Sequence, residues 1–228
     1  MSKRNRSRYA VTAALFLGFV IFTLMTRYTD VRPIGPGGSR VGLAALNRFV
    51  FDRLGVHLFW YTLTDWLGLV PVLAAFGFAV LGLCQLIKRR SLWRVDPDIL
   101  ALGVFYLAVI GCYVLFEKVV INYRPVLMNG HLEASYPSSH TMVMICVMTT
   151  AMTRFNRRVR NRPLLLTIDI LSVLIIAVTI AGRLISGAHW FTDIAGGAIL
   201  SAALSMLYCS ARASLCAASR VPDMAIGD

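Results

Sequence analysis

Residues 164–182 read LLLTIDILSVLIIAVTIAG. This stretch of nineteen residues contains a single charged side chain, Asp169. As an α-helix it would be about 28 Å long, which is close to the hydrocarbon thickness of a bilayer. The stretch therefore predicts a helix that crosses a membrane. The sequence then continues as RLISGAHWFTD at 183–193 and enters a second apolar run at 192–209.

Four further apolar runs occupy residues 11–25, 66–86, 99–116 and 138–152. Hydrophobic residues make up 57% of the chain, and its mean hydropathy is +0.69. A soluble domain of this size needs more polar surface than such a composition supplies. We therefore predict an all-α polytopic bundle of six transmembrane helices, a single membrane-embedded domain over 1–228. The runs at 11–25 and 138–152 are short for a span, so we expect both to extend into their flanks.

The net charge of +12 is carried by short clusters between the apolar runs. No basic stripe with interleaved aromatic residues occurs, so we expect no nucleic-acid partner. With six spans, fifteen of the basic residues fall on the side that holds both termini, and eight fall on the other. The positive-inside rule then makes both termini cytoplasmic in a multi-pass protein of the cell membrane. The fifteen are Lys3, Arg4, Arg6, Arg8, Lys88, Arg89, Arg90, Arg94, Arg154, Arg157, Arg158, Arg160, Arg162, Arg212 and Arg220.

The longest predicted outer connection is residues 28–65. Leu46, Phe49, Val50 and Leu54 recur there at helical spacing, which predicts a short amphipathic helix. Such a helix either lies on the outer membrane interface or packs against the bundle.

Three polar segments flank the outer ends of the predicted helices. They read EKVVINYRP at 117–125, PSSH at 137–140 and GRLISGAHWFTD at 182–193. The predicted topology rests mainly on other basic clusters, yet it places all three segments on the outer side. This agreement predicts one shared site at the outer face.

The third segment has the pattern of an activated nucleophile. His189 and Asp193 are four residues apart, which places both side chains on one helix face. A carboxylate that accepts a hydrogen bond from one imidazole nitrogen leaves the other nitrogen unprotonated and ready to attack. Arg183 precedes His189 by six residues and can offer a forked cationic donor to a phosphate.

The other two segments provide an anion site. Pro137 and Ser138 mark a helix start, whose free amide groups favour anions. Ser139 adds a hydroxyl group, and His140 can protonate a leaving group. Lys118 and Arg124 add two cations. Phosphoryl transfer depends mainly on positioning and charge neutralisation, which these residues can supply without a metal.

Each feature also has a purely structural interpretation. Lys118 and Arg124 could be interfacial cations that snorkel, PSSH could be only a helix cap, and His189 with Asp193 could be a structural pair or part of a proton path. Their combination on one side favours the catalytic interpretation.

The three segments resemble the signature of the type 2 phosphatidic acid phosphatase (PAP2) superfamily, the lipid phosphate phosphatases. That signature is a lysine, six residues and Arg-Pro, then Pro-Ser-Gly-His, then Ser-Arg, five residues, His, three residues and Asp. The resemblance implies a six-helix bundle and metal-independent hydrolysis through a phosphohistidine. It implies that His189 is the nucleophile, Asp193 orients it and His140 is the acid. The phosphate-binding residues implied are Lys118, Arg124, Ser138, Ser139 and Arg183.

The sequence departs from this pattern at three positions. Glu117 occupies the position of the family lysine, and Lys118 is one residue closer to Arg124. Ser139 replaces a glycine, which keeps the backbone amide but adds bulk. Gly182 replaces a serine, so one hydroxyl contact is absent.

The predicted function is hydrolysis of a phosphate monoester or pyrophosphate on a lipid. Phosphatidate, phosphatidylglycerophosphate, diacylglycerol pyrophosphate and polyprenyl pyrophosphate are the candidate substrates. Transfer of the phosphate to another lipid by the same site, and a non-enzymatic transporter or binding protein, remain alternatives. The sequence contains no CxxC pair that would suggest a zinc site, so we expect no metal and no cofactor. The sequence does not predict an oligomeric state.

Overall fold

The computed structural model describes residues 3–127 and 130–218, and the predicted inner residue Arg220 lies outside them. The regular structure of the described residues is helical, with two isolated bridges, Arg32–Val41 and Tyr123–Ala134. Two short 3-10 helices cover Pro36–Gly38 and Leu92–Arg94. The α-helices are α1 (Lys3–Tyr28), α2 (Ala44–Leu54), α3 (Leu58–Leu67), α4 (Leu69–Arg89), α5 (Pro97–Lys118), α6 (Ser139–Arg158), α7 (Arg162–Ile185) and α8 (Phe191–Ala218).

Five helical segments of the described chain are long and apolar enough to cross a membrane, and the protein is a multi-pass membrane protein. These segments are Asn5–Tyr28, Leu58–Arg89, Pro97–Lys118, Arg162–Ile185 and Phe191–Leu215. The first run extends in both directions, as the sequence predicted. The amphipathic helix predicted around Leu46 is α2, whose residue Asn47 is fully buried.

The second span begins earlier than predicted, at Leu58 and not at Trp66. Thr64 and Asp65 make this segment look like part of the outer connection. The Thr64 hydroxyl, however, donates back to the carbonyl of Trp60 at 2.7 Å, so it needs no water. Asp65 is used in an ion pair with Arg183. Residues 58–65 therefore belong to a helical segment and not to a loop.

The fourth predicted span corresponds to α6, which has twenty residues but is not among the five apolar segments. Nine of its residues are buried, including Thr141, Thr150 and Arg154. The helix packs against α4, α5, α7 and α8. A helix surrounded by other helices presents little surface to lipid, so its side chains need not be apolar. The six-span count thus stays a prediction.

The first and last helices hold the bundle together along most of its length. Helix α1 packs along α8, where the Thr12 and Ser210 hydroxyl groups hydrogen-bond at 3.3 Å. Near the other end, Phe19 of α1 stacks on Tyr136, whose hydroxyl group lies 2.8 Å from the Thr23 hydroxyl. These contacts fix Tyr136 and the start of α6, which follows it.

A buried ion network joins α5, α6 and α8 at the end of the bundle opposite His140. Arg154, with a side chain 5% exposed, donates to Asp96 and Asp98, both at 2.9 Å. Arg212 contacts Asp98 at 3.2 Å. Partial burial alone would raise the pKa of Asp96, but the hydrogen bond from Arg154 and the charges of Arg154 and Arg158 outweigh it and hold that pKa below its usual value.

We predict that Arg154→Ala destabilises the bundle, because it removes the buried arginine that pairs with two partly buried carboxylates. Loss of one partner from a fully buried ion pair costs about 3 kcal/mol or more, and we expect a smaller loss here because Asp96 keeps Arg158 and Asp98 keeps Arg212. Thermal unfolding in detergent measures the effect, with Arg160→Ala as the control because Arg160 is exposed. Equal melting temperatures for the two variants would contradict a structural role of this network.

Candidate active site

The three polar segments meet at one end of the bundle. The Ser138 amide donates to the backbone carbonyl of Asp193 at 2.9 Å. The Trp190 indole donates to the carbonyl of Tyr123 at 2.8 Å. The start of α6, the turn before α8 and the connection after α5 are thereby held together. The convergence proposed from sequence is present in the fold.

His189 lies in the turn between α7 and α8 and is 2% exposed. Its Nδ1 atom is 3.2 Å from the carbonyl oxygen of Ser135 and 3.7 Å from Oδ2 of Asp193. Both neighbours are acceptors, so we assign the ring proton to Nδ1. The Nε2 atom then carries a lone pair, and it is buried without a hydrogen-bond partner. A histidine with a free lone pair of this kind could act as a nucleophile.

The electrostatic surroundings keep His189 neutral. Burial lowers the pKa of His189, and the carboxylate of Asp193 acts in the opposite direction. The positive charges of Arg124 and Arg183 lower this pKa further. A neutral imidazole at physiological pH has the free lone pair that nucleophilic attack requires.

Asp193 is fully buried at the third position of α8. Its Oδ2 atom accepts a hydrogen bond from the amide of Trp190 at 2.9 Å, as an acidic residue does when it caps a helix start. Its Oδ1 atom faces the side-chain amide of Asn122 at 3.3 Å. The contact with His189 is longer than the predicted hydrogen bond, and the Ser135 carbonyl is the nearer acceptor.

Two buried asparagines support Asp193, and sequence reasoning missed both. Asn122 donates to Asp193 and to the Thr192 hydroxyl. Asn47 of α2 accepts from the Thr192 amide at 3.1 Å and donates to the Thr192 hydroxyl at 3.0 Å. Asn122 lies inside the first polar segment, which was a usable signal. Asn47 carried none, because it reads as the polar face of an amphipathic helix.

Arg183 and His140 are joined by Asp65, a residue that the sequence analysis did not single out. The Nη2 atom of Arg183 donates to Oδ1 of Asp65 at 2.7 Å and also contacts Nε2 of His140. The same carboxylate oxygen is 3.3 Å from Nε2 of His140. The Arg183 guanidinium lies over the ring of Tyr61, 5.1 Å from its centre. No motif spacing pointed to Asp65, whose local feature is only an acidic side chain at the edge of an apolar run.

Both arginines keep donors that are buried and unused. In Arg183, which is 1% exposed, these are Nε and Nη1. In Arg124 they are the same two atoms, although its Nε is 3.1 Å from the Glu133 carboxylate without hydrogen-bond alignment. Buried donors without acceptors are costly and uncommon. Two such guanidinium groups acting on one imidazole indicate an anion as the missing partner.

A polar cleft and an apolar groove adjoin these groups. The cleft is lined by Arg124, Ser135, Ser139 and His189 together with Tyr113, Glu117 and other residues of α5 and the following connection. The groove has a volume of about 270 Å³ and is lined by Gly68, Pro71, Val72, Tyr113, Ser139, His140 and Val143. Tyr113 and Ser139 belong to both. The arrangement fits a ligand with an anionic head and an apolar tail.

The two serines of the second segment have different positions. Ser138 is fully buried, and its Oγ atom accepts from the amide and the hydroxyl group of Thr141 at 3.4 and 3.1 Å. Its hydroxyl group therefore caps α6, as the sequence predicted. Ser139 is the first residue of α6 and lines both cavities, where the free amides of the first turn favour an anion.

Comparison with known proteins identifies the family. Residues 101–215 match the family model of the PAP2 superfamily, which is half of the chain. The chain belongs to the PAP2 superfamily. The fold is similar to the crystal structure of a transmembrane PAP2 type phosphatidylglycerolphosphate phosphatase from Bacillus subtilis, with a TM-score of 0.59 and 17% sequence identity. The alignment covers 90% of this chain and 96% of that one. A search of curated proteins found no match.

This PAP2 chain departs most from the family pattern at the end of α5. Glu117, at the position of the family lysine, lines the cleft with Arg124 and His189. Lys118 is the exposed last residue of α5 and is not among the residues that line the cleft. The structure brings Arg124, Ser139, Arg183, His140 and His189 to the site but leaves Lys118 beside it.

We predict that Lys118→Ala changes kcat/KM by less than about threefold, because this side chain does not line the cleft. Glu117→Gln should raise kcat/KM for an anionic phosphate, since removal of one charge several ångströms away is worth about 1 kcal/mol. Phosphate release from a lipid monophosphate in detergent measures both. A loss of about tenfold or more in Lys118→Ala would instead restore Lys118 as a phosphate ligand.

Proposed function

We propose that this protein is a metal-independent lipid phosphatase that hydrolyses a phosphate monoester or pyrophosphate through a phosphohistidine at His189. The observation that carries the proposal is the buried, unpartnered Nε2 atom of His189, whose surroundings include the unused donors of Arg124 and Arg183. Phosphatidate, phosphatidylglycerophosphate and polyprenyl pyrophosphate are the substrate classes to which it applies.

In the first step the lone pair of His189 Nε2 attacks phosphorus, and the bond from phosphorus to the leaving oxygen breaks. His140 gives its proton to that oxygen. Arg124 and Arg183 stabilise the equatorial phosphate oxygens, with the amides at the start of α6. The Nδ1 proton of His189 stays on the ring, where Ser135 and Asp193 stabilise the positive charge that develops.

In the second step a water molecule attacks phosphorus from the side that the leaving group has vacated. His140, now neutral, accepts a proton from this water, and the bond between Nε2 and phosphorus breaks. Inorganic phosphate leaves, and His140 is again protonated for the next cycle. Both histidines thus return to their starting states without a cofactor or a metal.

The apolar groove supports a lipid as the substrate. It opens between α4, α5 and α6 and reaches His140, so a chain lying in it would place its head group beside the acid. We further propose that α6 is a sixth span, that both termini are cytoplasmic and that the site faces outward. The excess of basic residues on the predicted inner side supports this orientation.

The test of the mechanism is acid-quenched trapping of phosphoprotein together with steady-state rates in detergent without added metal. His189→Gln should abolish both turnover and labelling from a substrate radiolabelled in its phosphate. Asp193→Asn should lower kcat by orders of magnitude, because an amide places a donor against the Trp190 amide or the Asn122 side chain. The control is His131→Gln, since His131 is exposed.

Two outcomes would contradict the proposal. Near-normal turnover in His189→Gln would show that another residue is the nucleophile. A wild-type protein that releases phosphate from none of these lipids and never becomes labelled would refute the enzymatic function itself.

The orientation is tested by labelling introduced cysteines in intact cells with a membrane-impermeant reagent. In a Cys84→Ser background, Leu132→Cys should react without permeabilisation and Arg160→Cys only after it. Leu132 is exposed in the connection before α6, and Arg160 is exposed in the connection after it. The background protein gives the blank, and the reverse pattern would place the site on the cytoplasmic side.

A further inference from the structure

The Asp65 carboxylate joins two groups that the proposed reaction uses. One of its oxygens accepts from Arg183 Nη2 at 2.7 Å and lies 3.3 Å from His140 Nε2. These partners belong to α7 and α6, whereas Asp65 belongs to α3. A single carboxylate therefore sets the position of the phosphate-binding arginine relative to the leaving-group acid.

The close approach of α3 to α7 depends on Gly182. A Cβ atom at this position would lie 2.5 Å from the Cγ2 atom of Thr64 and 3.0 Å from the Trp60 ring. Thr64 has little freedom to move, because it is fully buried and its hydroxyl donates to the carbonyls of Trp60 and Tyr61. Gly182 thus admits the turn of α3 that carries Asp65, next to Arg183. This is the position where the family pattern has serine.

The charges around His140 are mostly positive. Arg183 lies against it from α7, and the charge of Arg124 acts on it from the connection after α5, while His189 in the turn before α8 is neutral. Tyr113 of α5 lines the same groove, together with the uncharged residues Gly68, between α3 and α4, and Pro71 and Val72 of α4. Among the described residues, the acid in contact with His140 is Asp65, while Glu117 lines the adjoining cleft. Cations oppose protonation of an imidazole, which a leaving-group acid requires.

We propose that Asp65 is a positioning residue that allows His140 to hold the proton for the leaving group, and that Gly182 is present because it admits Asp65. The inference rests on the proposed function and adds a residue to it. The glycine that replaces the family serine at position 182 then contributes to acid catalysis by His140, because it leaves room for Asp65.

The test compares two leaving groups. Asp65→Asn should slow hydrolysis of an alkyl phosphate lipid by about tenfold or more, since general acid catalysis is worth at least that much. It should slow p-nitrophenyl phosphate far less, because this leaving group needs little protonation. The basic limb of the kcat profile for the alkyl phosphate should move to lower pH. Asp65→Glu should recover part of the rate, and Asp52→Asn is the matched control, an exposed carboxylate of α2 that pairs with Arg48.

Gly182→Ser tests the second half of the proposal. Although it restores the family residue, we expect it to reproduce the leaving-group dependence of Asp65→Asn, because its Cβ atom pushes α3 away. Adding Thr64→Ser removes the methyl group in the way and should recover part of the activity. An unchanged or faster enzyme in Gly182→Ser would overturn the role assigned to Gly182.

An equal loss on both leaving groups with an unmoved basic limb would show that Asp65 only stabilises the fold, and would overturn the inference. If the wild-type protein hydrolyses neither phosphate, the proposed function fails and the inference is checked without turnover. Histidine NMR in detergent, assigned with His140→Gln, gives the pH at which the His140 ring loses its proton. That pH should fall in Asp65→Asn, and an unmoved midpoint would overturn the inference as well.

Discussion

The geometry of the site depends on the buried group formed by Asp193 and its backbone. Its carboxylate caps the start of α8 and faces His189 and Asn122, while its carbonyl accepts the amide of Ser138. Three segments that are far apart in sequence thus share one residue. A carboxylate with no exposed surface is tolerated only when its oxygens are satisfied by donors. Because the Asp193 carboxylate both caps the start of α8 and faces His189, the contacts that satisfy it also fix the position of the His189 ring.

A second buried charged residue, Arg183, also needs polar partners. Arg183 is almost fully enclosed, and Asp65 with the face of Tyr61 compensates part of its charge. The ion pair between Arg183 and Asp65 requires α3 to lie next to the site. The second apolar segment therefore begins with α3, at Leu58, and not at Trp66. The positions of α3 and α8 are therefore set by polar contacts, in addition to the close packing of helix against helix that holds a membrane bundle together.

Hydropathy was sufficient to predict the apolar spans, because four of the five leave most of their residues unburied in the bundle and the fifth, Phe191–Leu215, is apolar although half buried. It was a weaker guide to α6, whose polar residues are enclosed by neighbouring helices, and it placed the start of the second span too late. The spacing of His189 and Asp193 predicted their proximity, because one helical turn separates them. Asp65 and Asn47 could not be found this way. Their partners are more than a hundred residues away, and neither residue belongs to a local pattern.

The site of Lys118 shows the limit of motif spacing in another way. A shift of one residue near a helix end turns a side chain by about 100°. Glu117 is therefore among the residues that line the cleft, whereas Lys118 is exposed and is not. In this chain a lysine is present near the expected place, but the residue at the expected position on the helix is Glu117. Motif spacing alone therefore does not show which of the two side chains lines the cleft.

The two ends of the bundle hold buried arginines whose side chains have different partners. Arg154 is buried, and its two terminal nitrogens are bound to the carboxylates of Asp96 and Asp98. Arg183 is buried more deeply, yet two of its nitrogens have no acceptor among the described residues. Folding alone would favour the first arrangement, since each unused buried donor carries a desolvation penalty. A fold that keeps the second arrangement retains donors whose acceptor comes from outside the described residues. Next to an unprotonated imidazole nitrogen, that acceptor is best supplied by the oxygens of a phosphate.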